Sequence, residues 1–565
     1  MTIVEEIKEA QPKEKMMKWM GMVQDCKGTQ KRVLMEILNE AKNTEFGKKN
    51  HFEEIDSVEA FQKAMPLTEY LDYDEMIDRM ALGEENVLFP GLPKYFLSTS
   101  GTTGKSKKIP ESELSCIAKN NVVEMRTGYD AIMMMKHPRF VKWAVAHGID
   151  VQNMNIKEIM KHYRFFSMAS STQNRKTESG IDVVYASGST QKNSGLTSSL
   201  AYPVIIQKLR DAEAINYLTM LFAMRTEDVH MIIGNNSARF KVRIDYVKEN
   251  AEMLIQDMRS GTISEKVNLT KEEREQIEPL FEAAPERADK LQELLDSGRE
   301  NFIPKNYWPN IFECNFWLSG TLGITIEELY PLLPDDTLYI DVGYGASEAK
   351  INIPYKPSAK DGTLAIASAF YEFKDMETDE VYTADSVEIG KEYDLIVTTF
   401  GGFYRYDMHD IVRVNGFNGN TPDIEFITKA GEVLNVAQEK LPAVIVVDFL
   451  KEFMKQEGHT LRQAQIYQNL EEKYYTIYIE NEDVLEEDMK VLSKKFDDML
   501  RQKLELYAQV RRFNYLNQLQ MIEMKQGWQD SLYQEKISSG APLAQIKLNA
   551  LIKKCPDKEW ILEKA

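Results

Sequence analysis

The sequence predicts an α/β protein with a large N-terminal part, residues 1–430, and a smaller α+β part, residues 431–565. Three observations carry this. A short apolar strand, Lys94–Leu97, runs into a Ser/Thr/Gly loop and then a long helix-compatible stretch from Glu111. A second strand, Thr337–Val342, runs straight into Gly343-Tyr-Gly-Ala-Ser-Glu348. From residue 363 the pattern turns to strands, and beyond 436 to compactly alternating helices and strands.

Residues 1–50 carry apolar side chains at helical spacing (Met16, Trp19, Met20, Val23; then Val33, Leu34, Ile37, Leu38) and predict two helices, with a turn over Asn43–Asn50. Pro66–Tyr70 opens another helix, with Thr68 as its expected N-cap. The loop Ser98-Thr-Ser-Gly-Thr-Thr-Gly-Lys-Ser-Lys-Lys-Ile-Pro110 follows. Backbone N–H groups, hydroxyls and lysines in such a loop can surround a phosphate, and Gly101 and Gly104 permit the close approach this needs. It is not a P-loop, because Thr99 stands where that motif requires glycine. Without a ligand, such a cluster is also an ordinary solvated turn.

Further on, 111–135 predicts a long helix, 139–146 a strand, 170–200 loops, and 204–224 an apolar helix. Residues 228–233 and 310–318 predict buried strands, and the charged stretch 265–300 helices. The loop Gly343–Ala349 sits where open α/β sheets bind ligands, at a strand's C-terminal end. There Tyr344 offers a face for a base, Ser347 a donor and Glu348 a hard oxygen for Mg²⁺. Phe403–Val414 reads as a strand carrying Asp407, His409 and Asp410. Strand alternation places His409 and Asp410 on opposite faces, and nothing nearby has ligand spacing, so the sequence disfavours a metal there. Residues 423–436 predict a hairpin turning near Ala430-Gly431, where the domain boundary is expected. Beyond it come a helix over 441–456, strands over 463–468 and 473–480, a helix over 485–505 and a strand near 510–514.

Composition narrows the function. With 565 residues and 43% hydrophobic content, the chain can bury a large core. Its net charge of −20 argues against a nucleic-acid partner, which would call for a basic face. Cys26, Cys116, Cys314 and Cys555 are far apart and form no zinc or disulfide pattern. With no leader-like N-terminus and no apolar run of membrane-spanning length, a cytoplasmic protein without a membrane partner is expected.

Taken together, Ser-Thr-Ser-Gly-Thr-Thr-Gly, Tyr-Gly-Ala-Ser-Glu and Arg-Tyr-Asp-Met-His-Asp resemble the nucleotide motifs of the adenylate-forming superfamily. More narrowly, Gly390–Phe417, Gln256–Ile263 and Gly540–Lys547 resemble the Gretchen-Hagen-three family of acyl-acid amido synthetases. The resemblance implies β-sheets with packed helices plus a small barrel-like part in the N-terminal domain, and a mobile C-terminal domain hinged near 429–436. It implies that ATP is bound with Mg²⁺ and that a small carboxylic acid and an amino acid are the substrates. Ser98, Thr99, Ser100, Gly101, Thr102, Thr103, Gly104 and Lys107 would hold phosphates. Tyr344, with Gly345 and Ala346, would stack on adenine; Ser347 would reach the α-phosphate; Glu348 would bind Mg²⁺. Asp410 would accept the ribose hydroxyls, and Lys440 and Lys547 would serve adenylation. The family pattern has Gly where this chain has His409, whose side chain is then expected to face away from the sugar. An acyl-CoA-type synthetase would share the first half-reaction, and an inactive relative would keep only nucleotide binding.

Overall fold

A computed structural model describes residues 1–99, 107–150, 156–168, 175–184, 196–209, 211–234, 237–318, 326–376, 378–429, 433–437, 439, 441–482, 485, 488–532 and 550–562. The chain divides into two compact units, one built on Met1–Thr99 and Lys108–Thr428, the other holding Lys429–Ala565.

The N-terminal stretch forms four helices rather than two: Ile3–Glu9, Pro12–Gln24, Cys26–Ala41 and Glu45–Lys49. Capping side chains set the breaks that apolar spacing does not reveal. Thr2 and Glu5 form a capping box, Asp25 accepts from Gly28 N, and Thr44 accepts from Gly47 N, which turns the expected 43–50 turn into a helix. Thr68 is not an N-cap: it bridges to Tyr406, and its hydroxyl donates to Tyr404 O at 2.8 Å. The 139–146 stretch is a helix, Pro138–Ala146, not a strand. Pro138 sits in its first turn, His137 caps it, and Phe140, Trp143 and Ala144 are buried at helical spacing despite their β-favouring neighbours.

Three sheets organise the first unit. Strand Tyr95–Thr99 lies between Lys107–Glu111 and Asp182–Val184 in a four-stranded sheet completed by Arg175–Lys176, so part of the expected 170–200 loop is strand. Phe165–Ser167, Met231–Ile233, Glu313–Phe316 and Leu338–Asp341 form an all-parallel sheet. Helices Ala212–Ala223, Ser237–Glu249 and Ala251–Ser260 bury their apolar faces in the same core, as sheets buried on both faces require. Where a barrel-like part was expected, seven strands pair in the order Val381–Thr383, Ala369–Asp375, Glu392–Thr399, Tyr406–Asn418, Thr421–Lys429, Asp361–Leu364 and Asn352–Ile353.

The turn of the expected 423–436 hairpin, near Ala430-Gly431, lies outside the described residues, and among the described residues its two strands do not pair with each other. Thr421–Lys429 pairs with Asp361–Leu364, whereas Val433–Leu434 pairs with Leu441–Pro442. Each strand finds its partner within its own unit. In the second unit, Leu461–Asn469 and Tyr474–Asn481 form an antiparallel pair flanked by Gln520–Glu523 and Leu551–Ile552. The strand expected near 510–514 is a helix, Glu505–Arg512, with Tyr507 and Val510 buried one turn apart. Arg511 anchors it on the buried Asp497, which also accepts from Tyr507 Oη at 2.6 Å. No helix among the described residues is long and apolar enough to cross a membrane.

Glu313 lies buried in the parallel sheet, accepting from Asn315 Nδ2 at 2.5 Å. Burial, reinforced by the Asp130 charge, pushes its carboxyl up to about 8. An acid whose folded pKa lies above its unfolded value stabilises most below the unfolded pKa and loses that stabilisation as pH rises. Relative to wild type, Glu313→Gln is expected to gain stability between the ordinary glutamate value of 4.5 and about 8. The difference approaches ~1.4 kcal/mol per pH unit. Urea melts across that window check it; parallel wild-type and variant curves would contradict it.

Candidate functional site

The strand Leu338–Asp341 delivers the loop that follows it, and Asp341 sets the exit. Its carboxylate accepts from Leu318 N at 2.8 Å and Gly343 N at 2.7 Å, while burial pushes it up to about 6. Gly343 adopts φ +87°, and a Cβ there would lie 3.1 Å from Asn352 O, so glycine is required. Trp317 Nε1 donates to Gly343 O at 2.9 Å, and Tyr344 N donates to Asn352 Oδ1 at 2.7 Å. Ala346 N closes a turn on Ala349 O at 2.9 Å. Thus Tyr344 is buried in the core, and Ser347 and Glu348 are half-buried.

Tyr344 reaches the antiparallel sheet. Its hydroxyl donates to Asp410 Oδ2 at 2.5 Å, and its ring packs on Phe426 with centroids 5.0 Å apart. Burial first, then the Asp410 charge, hold its phenol well above the ordinary range. Asp410 sits where strand pairing breaks register: Asp394 faces Ile411, but Ile396 faces Asp407. Met408, His409 and Asp410 therefore crowd opposite Leu395, and His409 takes φ +51°. The bulge, rather than simple alternation, separates the two side chains. Asp410 turns to Tyr344, and His409 lies 3.1 Å from Asp407 Oδ1.

Glu348 lies beside tyrosines. Among the described residues its carboxylate forms no ion pair, and Tyr406 Oη approaches Oε1 at 3.5 Å. Its charge contributes to the upward shifts of Tyr70 and Tyr406, whose main cause is burial. Tyr70 clamps the strand after the Ser/Thr/Gly loop, donating to Lys108 O at 3.2 Å and accepting from Lys108 N at 3.1 Å. A hard carboxylate without an ion-pair partner among the described residues fits Mg²⁺.

Two basic residues escaped the sequence reading. Lys119 pairs with the fully buried Glu111 and donates to Ser347 O at 2.5 Å, tying the Lys107–Glu111 strand to the Tyr344–Glu348 loop. Ser112 Oγ donates to Phe400 O at 2.8 Å from the same corner. Arg405, at φ +49°, pairs with buried Glu372 and donates to Gln62 O at 2.9 Å and Met65 O at 2.7 Å, bracing the approach to Asp410. The local signals were a lysine inside a helix and an arginine in the stretch that reads as a strand, just ahead of the observed Tyr406–Asn418.

Of the predicted residues, Tyr344 and Asp410 touch, and Gly345, Ala346, Ser347 and Glu348 share their loop. Ser98 and Lys107 lie on the strands flanking the Ser/Thr/Gly loop, and Thr99 ends the first of these. Ser100, Gly101, Thr102, Thr103, Gly104, Lys440 and Lys547 lie outside the described residues.

This frame coincides with a known one. GH3 family N-terminal, central and C-terminal domains match residues 16–338, 362–429 and 433–556. The chain belongs to the GH3 family. Similar relatives are an indole-3-acetic acid-amido synthetase of Arabidopsis thaliana (GH3.6), 25% identical over 75% of this chain and 70% of that protein, and the 4-substituted benzoates-glutamate ligase GH3.12 of the same plant. The latter is 24% identical over 94% of each chain. The solved AtGH3.15 acyl acid amido synthetase in complex with 2,4-DB shares the fold, with TM-score 0.63 and 21% identity over 98% of each chain. In this GH3 protein the Tyr344–Glu348 loop falls between the N-terminal and central matches, while Asp410 lies within the central one.

Lys119→Met is expected to destabilise the protein by ~3–5 kcal/mol, because it strands a buried carboxylate. Glu111→Gln in the same chain should recover much of this. Thermal unfolding of both variants checks it, and an unchanged melting temperature for Lys119→Met would contradict the ion pair's role.

Proposed function

We propose that the chain is an ATP-dependent acyl-acid amido synthetase that activates a small carboxylic acid as its adenylate and transfers the acyl group to an amino acid. The Tyr344–Asp410 contact carries this reading, because it joins two of the three nucleotide-motif segments in one buried place. The Lys119 link from the strand after the third segment to Ser347 O supports it. Family membership and the relatives' names agree.

A carboxylate is a poor electrophile, since its oxide will not leave. In the proposed reaction its oxygen attacks the α-phosphorus of ATP and pyrophosphate departs; the amine then attacks the acyl carbon and AMP leaves. Asp410 accepts ribose hydroxyls, exchanging its Tyr344 partner for sugar contacts. Ser98, the loop through Gly104, and Lys107 hold the phosphates, and Ser347 donates to the α-phosphate. Glu348 is the carboxylate that would hold Mg²⁺, which when bound offsets phosphate charge. Lys440 and Lys547, carried over from the family pattern, serve the adenylation step. The cytoplasm, which holds ATP and free amino acids, is the proposed site of action.

Pyrophosphate release that depends on a supplied acid, with amide formed from an amino acid, tests the reading. A thioester with coenzyme A and no amide would contradict it, as would ATP binding without pyrophosphate exchange across a broad acid panel. Asp410→Asn should raise KM for ATP by ~10–100-fold, the worth of a charged hydrogen bond. Glu348→Gln should depress adenylation most at limiting Mg²⁺. Lys547→Ala should depress adenylation more than amide formation from supplied acyl-adenylate; the reverse order would remove its assignment.

A further inference from the structure

Asp394, on the strand Glu392–Thr399, meets Asp407 and His409, on the strand Tyr406–Asn418, at the register break. One carboxylate oxygen from each acid and one ring nitrogen of His409 all lie within 4.8 Å of one another. His409 Nδ1 is 3.1 Å from Asp407 Oδ1 and 4.0 Å from Asp394 Oδ2. The Asp394 side chain is only 9% exposed, and its Oδ1 is buried with no hydrogen-bond partner. A dry, orphaned carboxylate oxygen beside a second carboxylate is costly unless a proton or a cation compensates it.

The local charge balance is negative. Asp410 acts on Asp394 from the same strand as Asp407, and Glu69 Oε1 lies 3.6 Å from His409 Nε2. Lys374 is a further cation acting on both acids, but it pairs with Asp379 at 2.9 Å. His409 is 45% exposed, which leaves an entry path from solvent.

We propose that Asp394, Asp407 and His409 bind a divalent cation of the zinc class, at a site separate from the magnesium-binding role assigned to Glu348. Two carboxylates alone would suit Mg²⁺ or Ca²⁺; the imidazole shifts preference toward first-row transition ions. The site spans the bulge that presents Asp410, so an occupied site would fix that bulge. Binding needs a ring nitrogen free of its proton, so acid weakens it. Glu69 faces the other ring nitrogen, Nε2, where it can orient the imidazole from outside the trio.

The test uses the full chain, stripped with a chelator and titrated calorimetrically with Zn²⁺ in excess Mg²⁺. One saturable Zn²⁺ site indifferent to Mg²⁺ is expected, with proton release measured by repeating the titration in a second buffer. His409→Gly suits the left-handed backbone at this position, so it removes the ligand without strain. It should weaken Zn²⁺ binding at least ~10-fold, as should Asp394→Asn, while Glu348→Gln leaves it unchanged. Co²⁺ substitution should show no thiolate absorption. Absence of a saturable site, full binding by His409→Gly, or a thiolate band pointing to cysteine would overturn the proposal and leave the trio a proton-sharing cluster. Because the readout is binding, failure of the ligase reading would not register in it.

Discussion

A buried hydrogen bond from the Tyr344 hydroxyl to Asp410 fastens the loop leaving the parallel sheet onto the antiparallel sheet. Everything proposed for the site depends on that junction. It holds only because each partner is fixed upstream. Asp341 pins the loop exit through two backbone N–H groups, and a register break turns Asp410 inward. A carboxylate in a dry place is expensive, so a hydroxyl donor at 2.5 Å stabilises Asp410 and fixes its conformation.

Buried ion pairs brace the same region. Glu111–Lys119 sits under the Ser347 carbonyl, and Glu372–Arg405 under the segment that leads to Asp410. Pairs of this kind add little net stability over apolar packing, but breaking one is costly, so they specify geometry. Here the geometry specified is that of the nucleotide-motif segments. Arg405 and His409 also hold left-handed backbone within a few residues of Asp410, and such strain persists only where neighbours determine it.

Much of this was legible in the sequence because it is local. A strand running into the loop Gly343-Tyr-Gly-Ala-Ser-Glu348 can be read without any knowledge of the fold, and Asp410 stands out in its own strand. What stayed hidden is non-local or depends on caps. Lys119 becomes meaningful only when its helix brings it to Ser347, far along the chain. Asp394 joins Asp407 and His409 only because a bulge defeats alternation. Residues 139–146 and the stretch near 510–514 read locally as strands because β-favouring residues outweigh a proline at the start of the helix Pro138–Ala146 and the Tyr507/Val510 spacing of the helix Glu505–Arg512. Among the described residues, the strands Thr421–Lys429 and Val433–Leu434 of the expected 423–436 hairpin each pair within their own unit, a preference no local pattern records.

The most direct measurement is a crystal structure of the full chain with AMP or a non-hydrolysable acyl-adenylate analogue. The account predicts both ribose hydroxyls on Asp410, the base against Tyr344, and the α-phosphate between Ser347 and the Ser98–Gly104 loop. A nucleotide bound elsewhere, or Asp410 still held by Tyr344 with no sugar contact, would contradict it.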